Sequence, residues 1–199
     1  MKRVLKHLLW IVPSILVVAV VSLAAYAATA RSADITYHAK LQKTIQVSST
    51  SFQSEQEMPV EFSCKGASTA PAIEWANAPN GAKSFALIAM DWDAPSPRLR
   101  LFPVVHWILY NIPPDMTEIP QRSDNVDFAR KKIVPGLNIA GQLGYMAPCP
   151  PLGTHHYEFR VYALDVDPLQ PASNDRAGVM KAMEGHVLRY GELVGLKSP

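Results

Sequence analysis

Hydrophobic and polar residues change rhythm along this chain. From Leu8 to Ala25 the sequence is apolar with almost no interruption, which is the pattern of an element that meets no water on any side. From Ile45 the period falls to two. Ile45-Gln-Val47, Pro59–Cys64, Ala72–Trp75, Ser84–Met90 and Val104–Tyr110 read as short strands, and Tyr157, Phe159, Val161 and Ala163 share one face of another strand ending at Leu164. Pro79-Asn-Gly81 marks a turn before the Ser84 strand, and Pro113-Pro114 stop the strand that begins at Val104. Thr117–Gly144 has no sustained period and reads as a long irregular excursion, with one helical turn near Asp127–Lys131. Ser173-Asn-Asp175 is a helix start, and Val179, Met183 and Val187 form a stripe that predicts a C-terminal helix to about Tyr190. Many short strands with one late helix predict a mainly β domain of two packed sheets.

Length and charge place limits on this picture. A chain of 199 residues with 48% apolar content suits one packed domain and a short appendage. The formal charge of +2 comes from the leader: without Lys2, Arg3 and Lys6 there remain 16 basic residues against 17 acidic ones. No basic face emerges, so no nucleic-acid partner is expected, and no cofactor is implied. The basic start, apolar run and small-x-small triplets Ala25-Tyr-Ala27 and Ala28-Thr-Ala30 make residues 1–30 a signal peptide or an N-terminal membrane anchor, with the balance towards cleavage. Uncleaved, residues 8–25 would contact a membrane. Residues 31–43 read as a polar tether and 44–199 as the domain. Either reading exports the domain to the periplasm or beyond, or anchors it outside the cytoplasm.

In an oxidising compartment Cys64 and Cys149 are a natural disulfide pair. Zinc is the competing reading, but neither cysteine has a C-x-x-C or histidine at ligand spacing; a catalytic thiol at Cys149 with His155 is the other.

The chemistry gathers at the strand ends. Asp91 and Asp93 close one apolar strand, two apart and so on one face by alternation, while His106 lies inside the next strand and His155 opens a later one. Buried polar groups need partners, and one shared pocket serves all four. His156 points away by alternation and is expected to be exposed. Three chemistries fit: a divalent metal that assists hydrolysis, a Ser96–His106–Asp triad, and a receptor for a small anion that needs no reaction. The metal reading lacks a recognised spacing, and the triad lacks a nucleophile elbow.

Asp91, Asp93, Ala94 and Pro95, then His106, Trp107 and Asn111, then Cys149, Pro150, Pro151, Gly153, His155, Tyr157, Phe159 and Tyr162 resemble the ordered motifs of the phosphatidylethanolamine-binding protein family, in its bacterial YbhB/YbcL, Raf-kinase-inhibitor-like branch. The likeness runs from about Ile45 to Leu196. It implies a two-sheet sandwich and a small cavity for phosphate, other small anions or a phospholipid-type headgroup. The ligand-binding residues it implies are Asp91, Asp93, Pro95, His106, Pro150, His155 and Tyr157, with no metal and no catalytic residue. A protein inhibitor of a kinase or serine protease, acting through exposed Arg98, Arg100 and Phe102, is the second implied role, and a metal-assisted hydrolase the third. Trp92 stands where the family motif has proline, Val104-Val105 where relatives often carry tryptophan, and His156 where arginine is common. The Trp92 replacement implies a narrowed or stacking cavity mouth.

Overall fold

Residues with long β-branched and aromatic side chains build the centre of the molecule. Ser84–Asp91 (β4) is buried at every position, and Val104–Ile112 (β5) and His155–Leu164 (β8) are buried over most of their length. The structure, a computed structural model, describes residues 2–199, with side chains from residue 12 onward. The basic start of the leader, including Lys2, Arg3 and Lys6, therefore lies outside the described side chains.

In chain order the remaining elements are α1 (Lys2–Ala39), β1 (Gln46–Ser48), β2 (Gln56–Glu57), β3 (Ile73–Ala76), β6 (Glu118–Ile119), α2 (Asn125–Arg130), β7 (Val134–Pro135), α3 (Arg176–Met183) and β9 (Val187–Lys197). They form a six-stranded sheet, β2-β9-β8-β4-β5-β7, and a three-stranded sheet, β1-β3-β6. All pairings are antiparallel except β2 with β9. The mainly β, two-sheet architecture is as expected. Phe85, Leu87, Trp107, Leu109, Phe159 and Val161 face the small sheet and form the principal core. Ile88, Met90, Ile108, Tyr162 and Leu164 face the opposite way and pack under α3 with Val179 and Met183.

Three elements depart from the sequence reading. Pro59–Cys64 alternates like a strand but forms a 3-10 turn at Val60–Phe62, closed by Ser63 N–H donating to the Val60 carbonyl at 3.0 Å. The late helix is capped by the Asp175 carboxylate, which accepts from Gly178 N–H at 2.8 Å, but it stops at Met183. Gly185 then turns at φ +81°, a region that L side chains avoid, and the chain continues as β9 rather than helix. The excursion does carry its short helix, α2, with Asp124 accepting from Val126 and Asp127 N–H groups, and it also holds β6 and β7.

The largest correction is at the amino terminus. The tether is absent, because α1 runs unbroken to Ala39. Residues Ala24, Ala27, Arg31, Asp34, His38 and Leu41 recur at spacings of three and four, and all are buried or half-buried against the domain. The segment expected to lie outside the fold is thus docked on it from Ala24 onward. Its earlier turns are exposed: Val12, Ile15, Leu16, Val17, Val18 and Val21 all stand in the open.

Candidate functional site

The site is made where β4 ends and β8 begins. Asp91 is paired in register with Tyr157 on one side and Val104 on the other, so three neighbouring strands deliver side chains to one place. His106 arrives by a different route. Ala89 pairs with Trp107, but Met90 pairs with Val105, which leaves His106 as an extra residue in β5. Such a bulge breaks strict alternation, so the consecutive residues His106 and Trp107 both serve the face toward the small sheet. Val105, one residue earlier, belongs to the opposite face.

The cavity measures about 530 Å³ and is lined by Asp91, Pro95, His106, Pro150, His155 and Tyr157, together with Phe102, Val104, Tyr145 and Met146. Six of the seven expected ligand-binding residues therefore meet. Asp93 does not. The strand ends at Asp91, so alternation no longer governs Asp93, whose carboxylate turns outward. It accepts from His156 N–H at 3.1 Å, from His156 Nδ1–H at 2.7 Å, and pairs with Arg100 Nε at 3.0 Å. His156 does face away from the cavity and its side chain is about half exposed, at 47%. It is nonetheless a hydrogen-bond partner of Asp93. Trp92 also leaves the mouth: it is buried beneath Arg176, whose guanidinium lies 5.4 Å from the ring centroid.

Polar groups in the cavity are arranged around Asp91. One of its oxygens accepts from Asp93 N–H at 2.6 Å, and the other accepts from His155 Nδ1–H at 2.8 Å. His106 Nδ1–H donates to the Met146 carbonyl at 2.7 Å. These bonds fix both imidazoles by their Nδ1 atoms. Both Nε2 atoms are buried and have no partner among the described residues. Tyr157 lies between the rings, edge-on to His106 at 5.0 Å and nearly parallel to His155 at 6.4 Å.

Burial dominates the protonation states. It lowers the His106 pKa, against the Met146 carbonyl and the Asp91 charge, which favour the imidazolium. Burial and then the Asp91 charge push the Tyr157 phenol far up, so it remains a donor. Neutral His106 offers Nε2 as an acceptor; a protonated ring would offer it as a donor. Among the described residues no three His, Cys, Asp or Glu side chains are gathered so as to hold a metal ion. Ser96 is not part of the cavity wall.

Cys64 and Cys149 are joined, with Cα atoms 5.4 Å apart across a sequence separation of 85. Both half-cystines line the cavity, and Cys64 N–H also donates to the Pro148 carbonyl at 2.9 Å. The bridge thus ties the prolines of the 148–151 loop to the 3-10 turn. Sequence reasoning missed Tyr145 and Met146. Met146 acts through a backbone carbonyl, which leaves no trace in the side-chain sequence. Tyr145 lies just past the irregular excursion, and its hydroxyl donates to the Phe62 carbonyl at 3.0 Å.

Comparison with known proteins gives one family. The family model described as phosphatidylethanolamine-binding protein matches residues 48–198. A UPF0098 protein of Methanothermobacter thermautotrophicus is 41% identical over 146 residues, covering 73% of this chain and 93% of its own. The crystal structure of a Chlamydia trachomatis homolog, CT736, described as a putative phosphatidylethanolamine-binding protein, superposes with TM-score 0.70 at 32% identity, covering 79% of this chain and 99% of the other. Escherichia coli YbcL, described as a new member of the mammalian family, gives TM-score 0.69 at 28% identity over 78% of this chain and 98% of its own.

Proposed function

Because this chain belongs to the phosphatidylethanolamine-binding protein family, in its YbhB/YbcL branch, we propose that its cavity is a receptor for a small phosphate-type anion or a phosphorylated headgroup, and that it performs no reaction. One observation carries this reading: the unpartnered, buried Nε2 atoms of His106 and His155 beside the Tyr157 phenol. Polar atoms so deeply buried are rarely left without a bond, and a bound group with several oxygens would satisfy both rings at once. Asp91 orients His155 by accepting its Nδ1–H, which leaves Nε2 for a ligand.

The apolar, exposed early turns of α1 and the Cys64–Cys149 bridge support a domain held outside the cytoplasm. We read α1 as a retained anchor. It is helical across both small-x-small triplets, and Ala27, at the end of the first, is buried against the domain.

Titration calorimetry of the purified full chain with phosphorylethanolamine and with inorganic phosphate tests the receptor. Saturable binding that His155→Ala abolishes is expected. Absence of binding by both ligands overturns the reading. A protein partner whose capture survives His106→Ala but not substitution of Arg98, Arg100 and Phe102 would move the function to the surface, as inhibition by contact requires.

A further inference from the structure

The apolar run of α1 ends at Ala25, and the domain meets the helix there. Ala24, Ala27, Ala28 and Arg31 form one wall of a cavity of about 250 Å³ whose other wall is Trp92 and the 98–103 loop. This cavity is separate from the one containing His106, although Phe102 borders both. Among the described residues, Arg31, Arg98 and Arg100 line it and no carboxylate does. Arg100 spends its Nε on Asp93 at 3.0 Å, which leaves its outer nitrogens. Arg31 Nη1 and the Trp92 indole N–H are buried and have no acceptor among the described residues, and Trp92 is only 6% exposed. A built set of donors without acceptors calls for an anion.

The position says which anion. Residues 8–25 span about 27 Å as a helix, close to the hydrocarbon thickness of a bilayer. The cavity therefore sits where the helix leaves the apolar layer. Leu99 and Phe102 on the loop are 55% and 41% exposed, and Tyr26 on the helix is 62% exposed, at the depth that aromatic and apolar anchors favour. An adjoining cavity of about 220 Å³ shares Arg31, Trp92 and Arg100 and adds the carboxylates of Glu55, Asp93 and Glu158, so the phosphate belongs on the Arg98 side and headgroup hydroxyls on the other.

From this we propose a second binding site: the groove between α1 and the 98–103 loop holds the phosphate of an anionic phospholipid from the leaflet in which α1 emerges, with Leu99 and Phe102 against its acyl chains. The site rests on retention of α1 but not on any ligand in the His106 cavity. It also seats the Phe102 edge of that cavity at the bilayer surface.

The test uses the full chain in neutral detergent, first checked by intact mass. Loss of residues 1–27 in the native host would overturn the proposal at once. The retained protein is titrated with short-chain phosphatidylglycerol and, separately, with short-chain phosphatidylcholine and inorganic phosphate. Basic residues near an anionic headgroup contribute about fivefold in affinity each, so Arg31→Gln combined with Arg98→Gln should weaken phosphatidylglycerol binding about 25-fold. In a His155→Gln background, which removes headgroup binding in the other cavity, the arginine-dependent component should remain. Phosphatidylglycerol binding that depends on His155 and not on the arginines assigns the lipid to the His106 cavity and overturns the proposal. Equal, arginine-dependent binding of inorganic phosphate also overturns it, since the groove would then serve a soluble anion. Should the double variant fail to fold, Arg98→Gln alone, on an exposed loop, is expected to lose about fivefold.

Discussion

His106 is the residue whose charge state controls the cavity. Burial holds its pKa below the ordinary 6.5, so near neutrality Nε2 is a lone-pair acceptor and repels an anion. A bound phosphate favours the imidazolium and raises that pKa, so binding takes up a proton. Affinity should therefore rise as pH falls through the raised, bound-state pKa, and level off below the lowered, free-state value. Calorimetry of phosphate binding at several pH values checks this, and a flat profile would exclude His106 as a contact. Replacing the ring by alanine removes one charge-assisted bond, at about 1.5–3 kcal/mol, or roughly ten- to a hundredfold in affinity. Asp93 belongs to stability instead. Burial alone would raise its pKa, but the hydrogen bonds from His156 and the Arg100 charge outweigh it and hold the carboxyl below the usual range. Its contribution is present above the unfolded value of 3.8 and is lost as pH falls through the depressed one. Asp93→Asn should cost about 2 kcal/mol in urea unfolding near neutrality, less than a fully buried pair because Arg100 and His156 are half exposed. Phosphate affinity should barely change.

Among the elements, β9 has the tightest fit and was the hardest to read. Gly191, Leu193 and Gly195 face inward in alternation, but two of those three positions carry no side chain, so the sequence shows no apolar stripe. The glycines are there because neighbours come too close. A Cβ on Gly191 would lie 2.1 Å from the Ile45 carbonyl oxygen, whereas on Gly195 it would meet side chains, Met58 at 2.6 Å and the Phe52 ring at 2.9 Å. Gly191→Ala should thus destabilise by about 3 kcal/mol, and Gly195→Ala by about 1 kcal/mol, in urea unfolding. Equal costs would show that the Ile45 backbone yields as easily as those side chains. β4 and β5 were legible because their apolar runs are nearly continuous, and β8 because its inward residues alternate. The identity of His106 was equally plain, but its aim depends on a bulge that needs a partner strand to define it. Asp93 was misplaced for the converse reason: alternation was carried one turn past the end of β4. The docked stripe of α1 escaped notice because it is built from Ala, Arg, Asp and His rather than from aliphatic residues.

That stripe decides how the whole molecule is held. Asp34 is buried on the outer face of the large sheet and is shared by two guanidinium groups. Arg160 Nη1 donates to one of its oxygens at 2.7 Å, and Arg176 donates to the other. Arg160 is itself fixed by Glu192, which accepts from Nε at 2.7 Å, and by Glu158. His38 completes the clasp: its Nδ1–H donates to the Asp34 carbonyl at 2.7 Å, which leaves Nε2 to accept the Tyr162 hydroxyl at 2.8 Å. A cleavage after Ala27 or Ala30 would leave this clasp in place, so it reports on docking and not on processing. Without the Asp34 carboxylate, Arg176 loses an ion-pair partner and Arg160 keeps two. Breaking such a buried pair costs about 3–5 kcal/mol, more than the few half-buried alanine contacts of α1 can replace. Asp34→Ala should therefore free the last turns of α1 while β8 and β9 stay folded on their own hydrogen bonds. Hydrogen exchange of the full chain measures this directly. Amides of residues 31–39 should lose protection, and those of β8 should keep it. Unchanged protection at 31–39 would mean that apolar contact, not the clasp, fixes the helix to the domain.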